Sequence, residues 1–261
     1  MLTAITRPVT EAIADCELTF LPRQRIDVSK AIRQHREYED RLRRLGVDVI
    51  SLSTEPGLPD SPFVEDVAVV VDELAVMAVM GAINRRPEVH SIEGVLSRYR
   101  SPRYLNNSAT LEGGDVVRVG NSLYVGMSRR TNREGVEGLR DALKPHGYRV
   151  KAVQVSGCLH LSTGCSYIGS NTVLVNPDWV DISPFDGFDI INVPRSEPWA
   201  ANTLVIGDTL IMADAYPETR ELLLRRGFNV ETLDISEFEK AEAGLTCLSL
   251  IFDSDRPNHV A

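Results

Sequence analysis

The sequence has no long apolar run. Its most hydrophobic stretch, Val67–Met80, is broken by Asp72 and Glu73, short of the roughly 20 apolar residues that a bilayer-spanning helix needs. The opening residues Met1-Leu2-Thr3-Ala4-Ile5-Thr6-Arg7-Pro8 lack the basic segment and apolar stretch of a secretory signal, so a cytoplasmic protein with no membrane partner is expected. Cysteine is scarce: Cys16, Cys158, Cys165 and Cys247 are irregularly spaced in 261 residues. That excludes a disulfide framework and leaves free thiols, one of them available for chemistry. Positive charge is short as well, 28 Lys and Arg against 37 Asp and Glu for a formal charge of -9. Such a balance opposes nucleic-acid binding and suits a small cationic ligand. No Gly/Ser linker, charge block or low-complexity run divides the chain, so residues 1–261 are expected to form one domain.

What the sequence does contain is a recurring order. A helix is predicted from the capping region Asp27-Val28-Ser29-Lys30 through Ala31, Ile32, Tyr38, Leu42 and Leu45 to Gly46, followed by a strand over Val47–Leu52. A hairpin comes next, Val67–Val71 and Leu74–Met80. The order recurs as Asp115–Val119, Leu123–Val125, a helix from Asn132 to Leu143 and a strand Arg149–Val155. A third unit has Cys165–Ile168 and Thr172–Val175, its helix replaced by the Pro-rich and aromatic segment Asn176–Phe188. A fourth has Thr203–Ile206, Leu210–Met212, a helix Pro217–Arg226 and Val230–Leu233. Units of this kind at roughly 50-residue intervals mark a repeated α/β architecture of four or five ββαβ-like units. A strand-rich unit that buries one face needs neighbours to close its core, which favours a ring with a central pocket.

The side chains capable of chemistry sit at equivalent places in these units, just before the hairpin strands. Glu65-Asp66 precede Val67, Glu112-Gly113-Gly114-Asp115 precede Val116, His160 precedes the third hairpin and Cys247 precedes Leu248–Phe252. In a ring these points converge. Cys247 is then a candidate nucleophile, although a Cys taken alone is more often a small buried apolar residue. His160 beside it is the residue type for acid/base work near neutral pH, with Glu112 available to orient it. Glu65-Asp66 entering a buried strand need cationic partners, and a planar guanidinium matches two carboxylates; structural ion pairs are the competing reading. Arg85-Arg86 and Arg129-Arg130 each follow a hairpin and are placed at the pocket rim, where one Arg of each pair can hold a carboxylate. The pair Gly113-Gly114 lacks the Lys-Ser/Thr of a phosphate loop, and Cys158, His160 and Cys165 lack the spacing of a zinc ribbon or finger. The polar segment Asp15–Asp27 is a candidate lid.

Taken together, Pro59–Val67, Arg85-Arg86, Thr110–Val116, Gly126–Asn132, Leu159-His160-Leu161, Ala200-Ala201-Asn202 and Leu245–Ser249 resemble the guanidino-modifying pentein superfamily of five-bladed propellers. Within it they resemble the dimethylarginine dimethylaminohydrolase family. The resemblance implies a pseudo-fivefold α/β propeller with a closed central site, and hydrolysis of Nω-methylated arginine to citrulline and an alkylamine without metal or organic cofactor. It implies that Cys247 attacks the guanidinium carbon, that His160 oriented by Glu112 moves protons, and that Asp66 grips the guanidinium nitrogens. Asp60 and Glu65 would help hold the substrate, Arg85 and Arg130 would bind its α-carboxylate, and main-chain groups around Leu18 and Ala241 would meet its amine end. The expected partner is therefore a small guanidino amino acid; a homodimer is a possible assembly. Arginine deiminase or amidinotransferase chemistry is the alternative on the same scaffold, and an arginine-derivative binding protein the non-enzymatic one. One stretch departs from the family pattern: Val79-Met80-Gly81-Ala82-Ile83 stands where an Arg-Pro-Gly-Ala sequence is common, which is expected to change the electrostatics of the pocket mouth.

Overall fold

A computed structural model describes residues 1–106 and 108–255. The chain opens with β1 (Leu2–Thr6), helix α1 (Val28–Arg44) and β2 (Asp48–Ser51). The next unit is β3 (Ala68–Val70), β4 (Leu74–Met77), α2 (Glu88–Leu96) and β5 (Ser101–Tyr104). It is followed by β6 (Val116–Val119), β7 (Ser122–Met127), α3 (Arg133–Leu143) and β8 (Arg149–Gln154). A short turn of helix, α4 (Leu161–Gly164), leads into β9 (Cys165–Tyr167), β10 (Thr172–Val175) and β11 (Asp189–Asn192). The last complete unit is β12 (Thr203–Ile206), β13 (Thr209–Ala213), α5 (Pro217–Arg225) and β14 (Asn229–Leu233), and it is followed by α6 (Ser236–Glu239) and β15 (Leu250–Asp253).

Every sheet has three strands built to one plan, an antiparallel hairpin whose second strand pairs in parallel with a third. The parallel step needs a crossover, and a helix supplies it in most units. The fifth sheet is ordered β15-β1-β2, so the C-terminal strand takes the hairpin place beside the N-terminal strand, Leu2 opposite Asp253 and Ile5 opposite Leu250. The fold is the five-bladed pseudo-symmetric α/β propeller expected from the repeats, closed by joining the two chain ends.

Local sequence explains the elements. Asp27 caps α1 by accepting from the Lys30 N–H at 3.0 Å, Asn132 caps α3 by accepting from Gly135 N–H at 2.8 Å, and Gly46 leaves α1 at a φ of 83° that glycine adopts without a Cβ clash. The apolar residues lie in clusters shared between neighbouring blades. Ile5, Leu250 and Phe252 meet Val67, Ala75 and Met77, while Val117 and Tyr124 meet Cys165 and Val173. Each fully buried Leu, Ile or Met there contributes roughly 1.5–3 kcal/mol relative to exposure, and no blade closes its core alone.

Several elements differ from the sequence reading. β1, α2, β5 and β11 are additional to it. β5, Ser-Pro-Arg-Tyr, carries Pro102 and few apolar groups, which an edge strand tolerates. The expected strand Leu74–Met80 ends at Met77, because Val79 leaves β3 and makes an isolated bridge to Leu111 of the next blade. Met80 is fully buried with Met77 and Ile92, so the apolar departure expected at the pocket mouth is core packing. Ile83 is the residue of that stretch that faces solvent, 72% exposed.

Candidate active site

The segments just before the hairpins are short helical turns: Val64–Val67 before β3, Gly113–Asp115 before β6, α4 before β9 and Thr246–Leu248 before β15. They meet at the propeller axis and are joined by hydrogen bonds from blade to blade. Gly114 N–H donates to Asp66 Oδ1 at 3.2 Å, and Leu161 N–H donates to Asp115 Oδ1 at 3.0 Å. Asn202 Nδ2 donates to the Ser162 carbonyl at 2.9 Å and to Thr246 Oγ1 at 3.0 Å. Thr246 Oγ1 donates to Glu65 Oε2 at 2.8 Å, which closes the circuit. The convergence read from the repeats is therefore present, and Asp115, Asn202 and Thr246 are its members to which the sequence reading gave no role. Their signal was available in principle, since each lies at the same point of its unit as Asp66 and His160.

Two glycines make the approach possible. A Cβ at Gly113 would meet the Glu65 carbonyl oxygen at 2.0 Å, and one at Gly114 would meet Asp66 Oδ1 at 2.6 Å and His160 Nδ1 at 2.8 Å. Gly114→Ala must therefore displace the His160 ring or the Asp66 carboxylate. A shift of this kind in a reacting group lowers kcat by about 10²-fold, and steady-state kinetics beside a thermal melt would separate it from simple unfolding.

His160 lies between two carboxylates, Nε2 at 2.8 Å from Glu112 Oε2 and Nδ1 at 3.6 Å from Asp66 Oδ1, with all three groups no more than 2% exposed. Burial disfavours the imidazolium, but the Asp66 charge and the Glu112 hydrogen bond outweigh it and raise the His160 pKa to about 10. Burial likewise opposes ionisation of Glu112, yet its bond to His160 and the charges of His160, Arg85 and Arg130 hold its pKa at about 2. The resting pair is an imidazolium against a carboxylate. Glu112 Oε1 also accepts from Gly81 N–H at 2.9 Å, so the carboxylate is fixed from both sides.

Cys247 is 5% exposed, and Gly244 N–H donates to its sulfur. Burial raises its thiol pKa well above the ordinary value, Glu65 and Asp66 add to the rise, and the Gly244 bond and Arg85 only partly offset them. These surroundings hold the thiol in its protonated form. Burial and the neighbouring Asp66 also lift the Glu65 carboxyl to about 7, against hydrogen bonds from Thr246 and Ser162. Cys16, Cys158 and Cys165 are buried free thiols as well, which removes none of them from the inert apolar reading.

The arginines differ from their expected places. Arg85 is 3% exposed and turned inward, its Nη1 at 2.7 Å from Asp66 Oδ2 and its Nη2 at 2.9 Å from Glu88 Oε2. It also donates to the Phe63 carbonyl at 3.2 Å. Arg130 is 7% exposed, with Nη1 at 3.5 Å from Glu112 Oε1. The rim residues are their exposed partners Arg86 and Arg129. Asp60 is likewise engaged within the protein, both oxygens accepting from Glu17 N–H at 3.2 and 3.1 Å. Leu18 and Ala241 share one apolar cluster with Leu245 and Cys247. Asp66, Glu112 and His160 place potential metal-ligating atoms within 4.8 Å of one another, but Arg85, Arg130 and the imidazolium already balance these carboxylates. The set is suited to handling protons and a cation.

Comparison with known proteins identifies the family. The family model of eukaryotic N,N dimethylarginine dimethylhydrolase matches residues 8–196. The N(G),N(G)-dimethylarginine dimethylaminohydrolase of Pseudomonas aeruginosa is 36% identical over 228 residues, 87% of this chain and 90% of its own. That of Streptomyces coelicolor is 35% identical over 250 residues, 95% of each chain. The P. aeruginosa enzyme, solved as a cysteine-to-serine mutant complexed with citrulline, superposes with a TM-score of 0.92 at 34% identity, over 96% of this chain and 98% of that one. The N-terminal domain of a cyanobacterial arginine dihydrolase shares the fold, with a TM-score of 0.87 at 19% identity, over 96% of this chain and 98% of that one. With five blades, a converging cysteine, histidine and carboxylate set, and relatives matched along nearly their full length, the chain belongs to the dimethylarginine dimethylaminohydrolase family.

Proposed function

We propose that this protein hydrolyses Nω-methylated arginine, with dimethylarginine as the leading substrate, to citrulline and dimethylamine or methylamine through a covalent adduct on Cys247. It acts as a single catalytic domain spanning residues 1–261, in the cytoplasm, and a homodimer is a compatible assembly; no helix in the described residues is long and apolar enough to cross a membrane. The observation that carries the reading is the His160 imidazolium held between Glu112 and Asp66, with the same Asp66 also acting on the buried Cys247 thiol.

A guanidinium bound against Asp66 and Glu65 supplies the positive charge that the thiol lacks, so substrate binding itself favours the thiolate, the thiol proton passing to solvent. The thiolate adds to the guanidinium carbon. His160, already protonated, gives its proton to the departing amine as the C–N bond breaks, which leaves a thiouronium on Cys247. Neutral His160 then takes a proton from water as the water's oxygen attacks that carbon, and collapse expels the Cys247 thiolate, which takes up the hydroxyl proton as the carbonyl of citrulline forms. Glu112 keeps the ring in place through both halves. Arg130 and Arg85 are the cations nearest the site for the α-carboxylate, and Arg85 reaches it only by loosening its bonds to Asp66 or Glu88.

The test is a product assay on purified protein with asymmetric dimethylarginine, measuring citrulline and amine together. Citrulline with dimethylamine in equal amounts is expected. Citrulline with ammonia from arginine alone, or a transferred amidino group, would assign the scaffold's alternative chemistries, and stoichiometric binding with no product would assign a binding protein.

A further inference from the structure

Glu242 occupies a position where a glycine is ordinary. It follows the short helix α6, with its N–H donating to the Glu239 carbonyl at 3.1 Å and the Ala243 N–H donating to the Phe238 carbonyl at 3.0 Å. This is the bond pattern of a helix terminus that calls for a left-handed residue, and Glu242 has a φ of 57°, uncommon for a residue with a Cβ. Its side chain is 5% exposed and serves the N-terminal segment. Thr19 N–H donates to both carboxylate oxygens at 3.0 Å, Phe20 N–H to Oε1 at 2.5 Å, and Leu21 N–H to the same oxygen. Three successive amides thus converge on one buried carboxylate, a charge-assisted arrangement stronger than bonds to a neutral acceptor.

The same segment is tied elsewhere by Glu17 N–H to Asp60, by Asn84 Nδ2 donating to Glu17 Oε1 at 2.8 Å, and by the Arg129 guanidinium 5.3 Å from the Phe20 ring centroid. Beside it a cavity of about 380 Å³, lined by Leu21, Trp199, Asn202, Tyr216, Glu242 and Gly244, leaves the segment without close packing on that side. Glu242 also lies in the turn that leads to the nucleophile, two residues before Gly244, whose N–H reaches the Cys247 sulfur.

We propose that Glu242 is the latch of the segment Glu17–Leu21, a positioning residue that holds Leu18 against the cluster containing Ala241 and so shapes the place to which the family resemblance assigns the amine end of the substrate. The substrate part of this inference rests on the function proposed above; the latch itself does not. Hydrogen exchange on the free protein tests the latch without reference to activity. The amides of Thr19, Phe20 and Leu21 are expected to exchange as a protected block in the wild type, and about 10- to 100-fold faster in Glu242→Ala, the range for losing hydrogen bonds to a charged group. Glu242→Gln, which keeps one acceptor oxygen, gives a smaller acceleration and stands in if the alanine variant does not fold. Unprotected amides in the wild type, or unchanged exchange in a folded variant, would overturn the latch. With dimethylarginine, the variants are expected to raise KM about 10-fold with kcat changed less than about 3-fold, as for loss of binding common to ground and transition states. An effect confined to kcat would remove the positioning role, while absence of turnover in the wild type would count against the proposed function and leave the exchange result standing.

Discussion

Replacing Cys247 with serine lowers kcat/KM for dimethylarginine by more than about 10³-fold, while the melting temperature moves by no more than about 2 °C. The two side chains are close in volume, and the site is small and buried, so the backbone of the turn Thr246–Leu248 has no reason to rearrange. The chemistry changes more than the shape. A thiol already raised well above its usual range by burial and by Glu65 and Asp66 can still be ionised by an incoming cation. A hydroxyl in the same surroundings starts several pH units higher, and the substrate's charge cannot close that gap. The pH dependence of the resting thiol supplies a second readout. Between pH 7 and 9 the thiolate fraction of Cys247 rises about tenfold per unit because its pKa lies above that window, so alkylation of the free protein by iodoacetamide should rise in step. A rate that levels off near pH 7 would show a thiolate already formed without substrate, and the substrate-assisted step would have to be abandoned.

Much of this site was legible because the repeats are. Once Glu65-Asp66, Glu112, His160 and Cys247 are seen to precede equivalent hairpins, ring closure brings them together whatever the details of each blade. Legibility failed where geometry is non-local or depends on a single rotation. The fifth blade is built from the two ends of the chain, β1 with β15, and no local pattern announces a pairing across about 250 residues of sequence. Of the two adjacent arginines Arg85 and Arg86, one points inward to Asp66 and Glu88 and the other faces solvent. Neighbours on a helical turn point in different directions, and only the fold decides which is which. Glu242 was hidden for another reason. A glutamate in the left-handed residue after a helix contradicts local preference, and such conflicts between local rule and final structure gather at functional sites. Met80 shows the converse: a residue that looked like a departure at the pocket mouth is ordinary core.

Asp66→Asn should damage stability and catalysis together, and the two losses have separable causes. Asp66 is one of two carboxylates that neutralise Arg85 at a site where both partners are almost fully buried. Removing one member of such a pair costs about 3–5 kcal/mol, nearer the lower figure here because Glu88 remains. For a protein of this size that is a fall in melting temperature on the order of 10 °C. Glu88→Gln removes the other partner; burial, with the charges of Asp60 and Asp66, raises the Glu88 carboxyl to about 7 against the lowering effect of Arg85. It should share the stability loss while changing kcat less than about 3-fold, since Glu88 bonds to Arg85 and not to His160 or the thiol among the described residues. Catalysis follows Asp66 alone. Its carboxylate is needed to bind a guanidinium and to keep His160 protonated, so kcat/KM should fall by about 10²–10³-fold. The pH profile tells these effects apart. Burial pulls the His160 pKa down and the Asp66 charge is the largest influence raising it to about 10. Neutralising residue 66 therefore moves the alkaline limb of the residual rate to lower pH, because His160 loses the proton it must give to the departing amine. An unchanged alkaline limb in a folded Asp66→Asn protein would mean that His160 is not the acid, and the proton would have to be traced to another group facing Cys247.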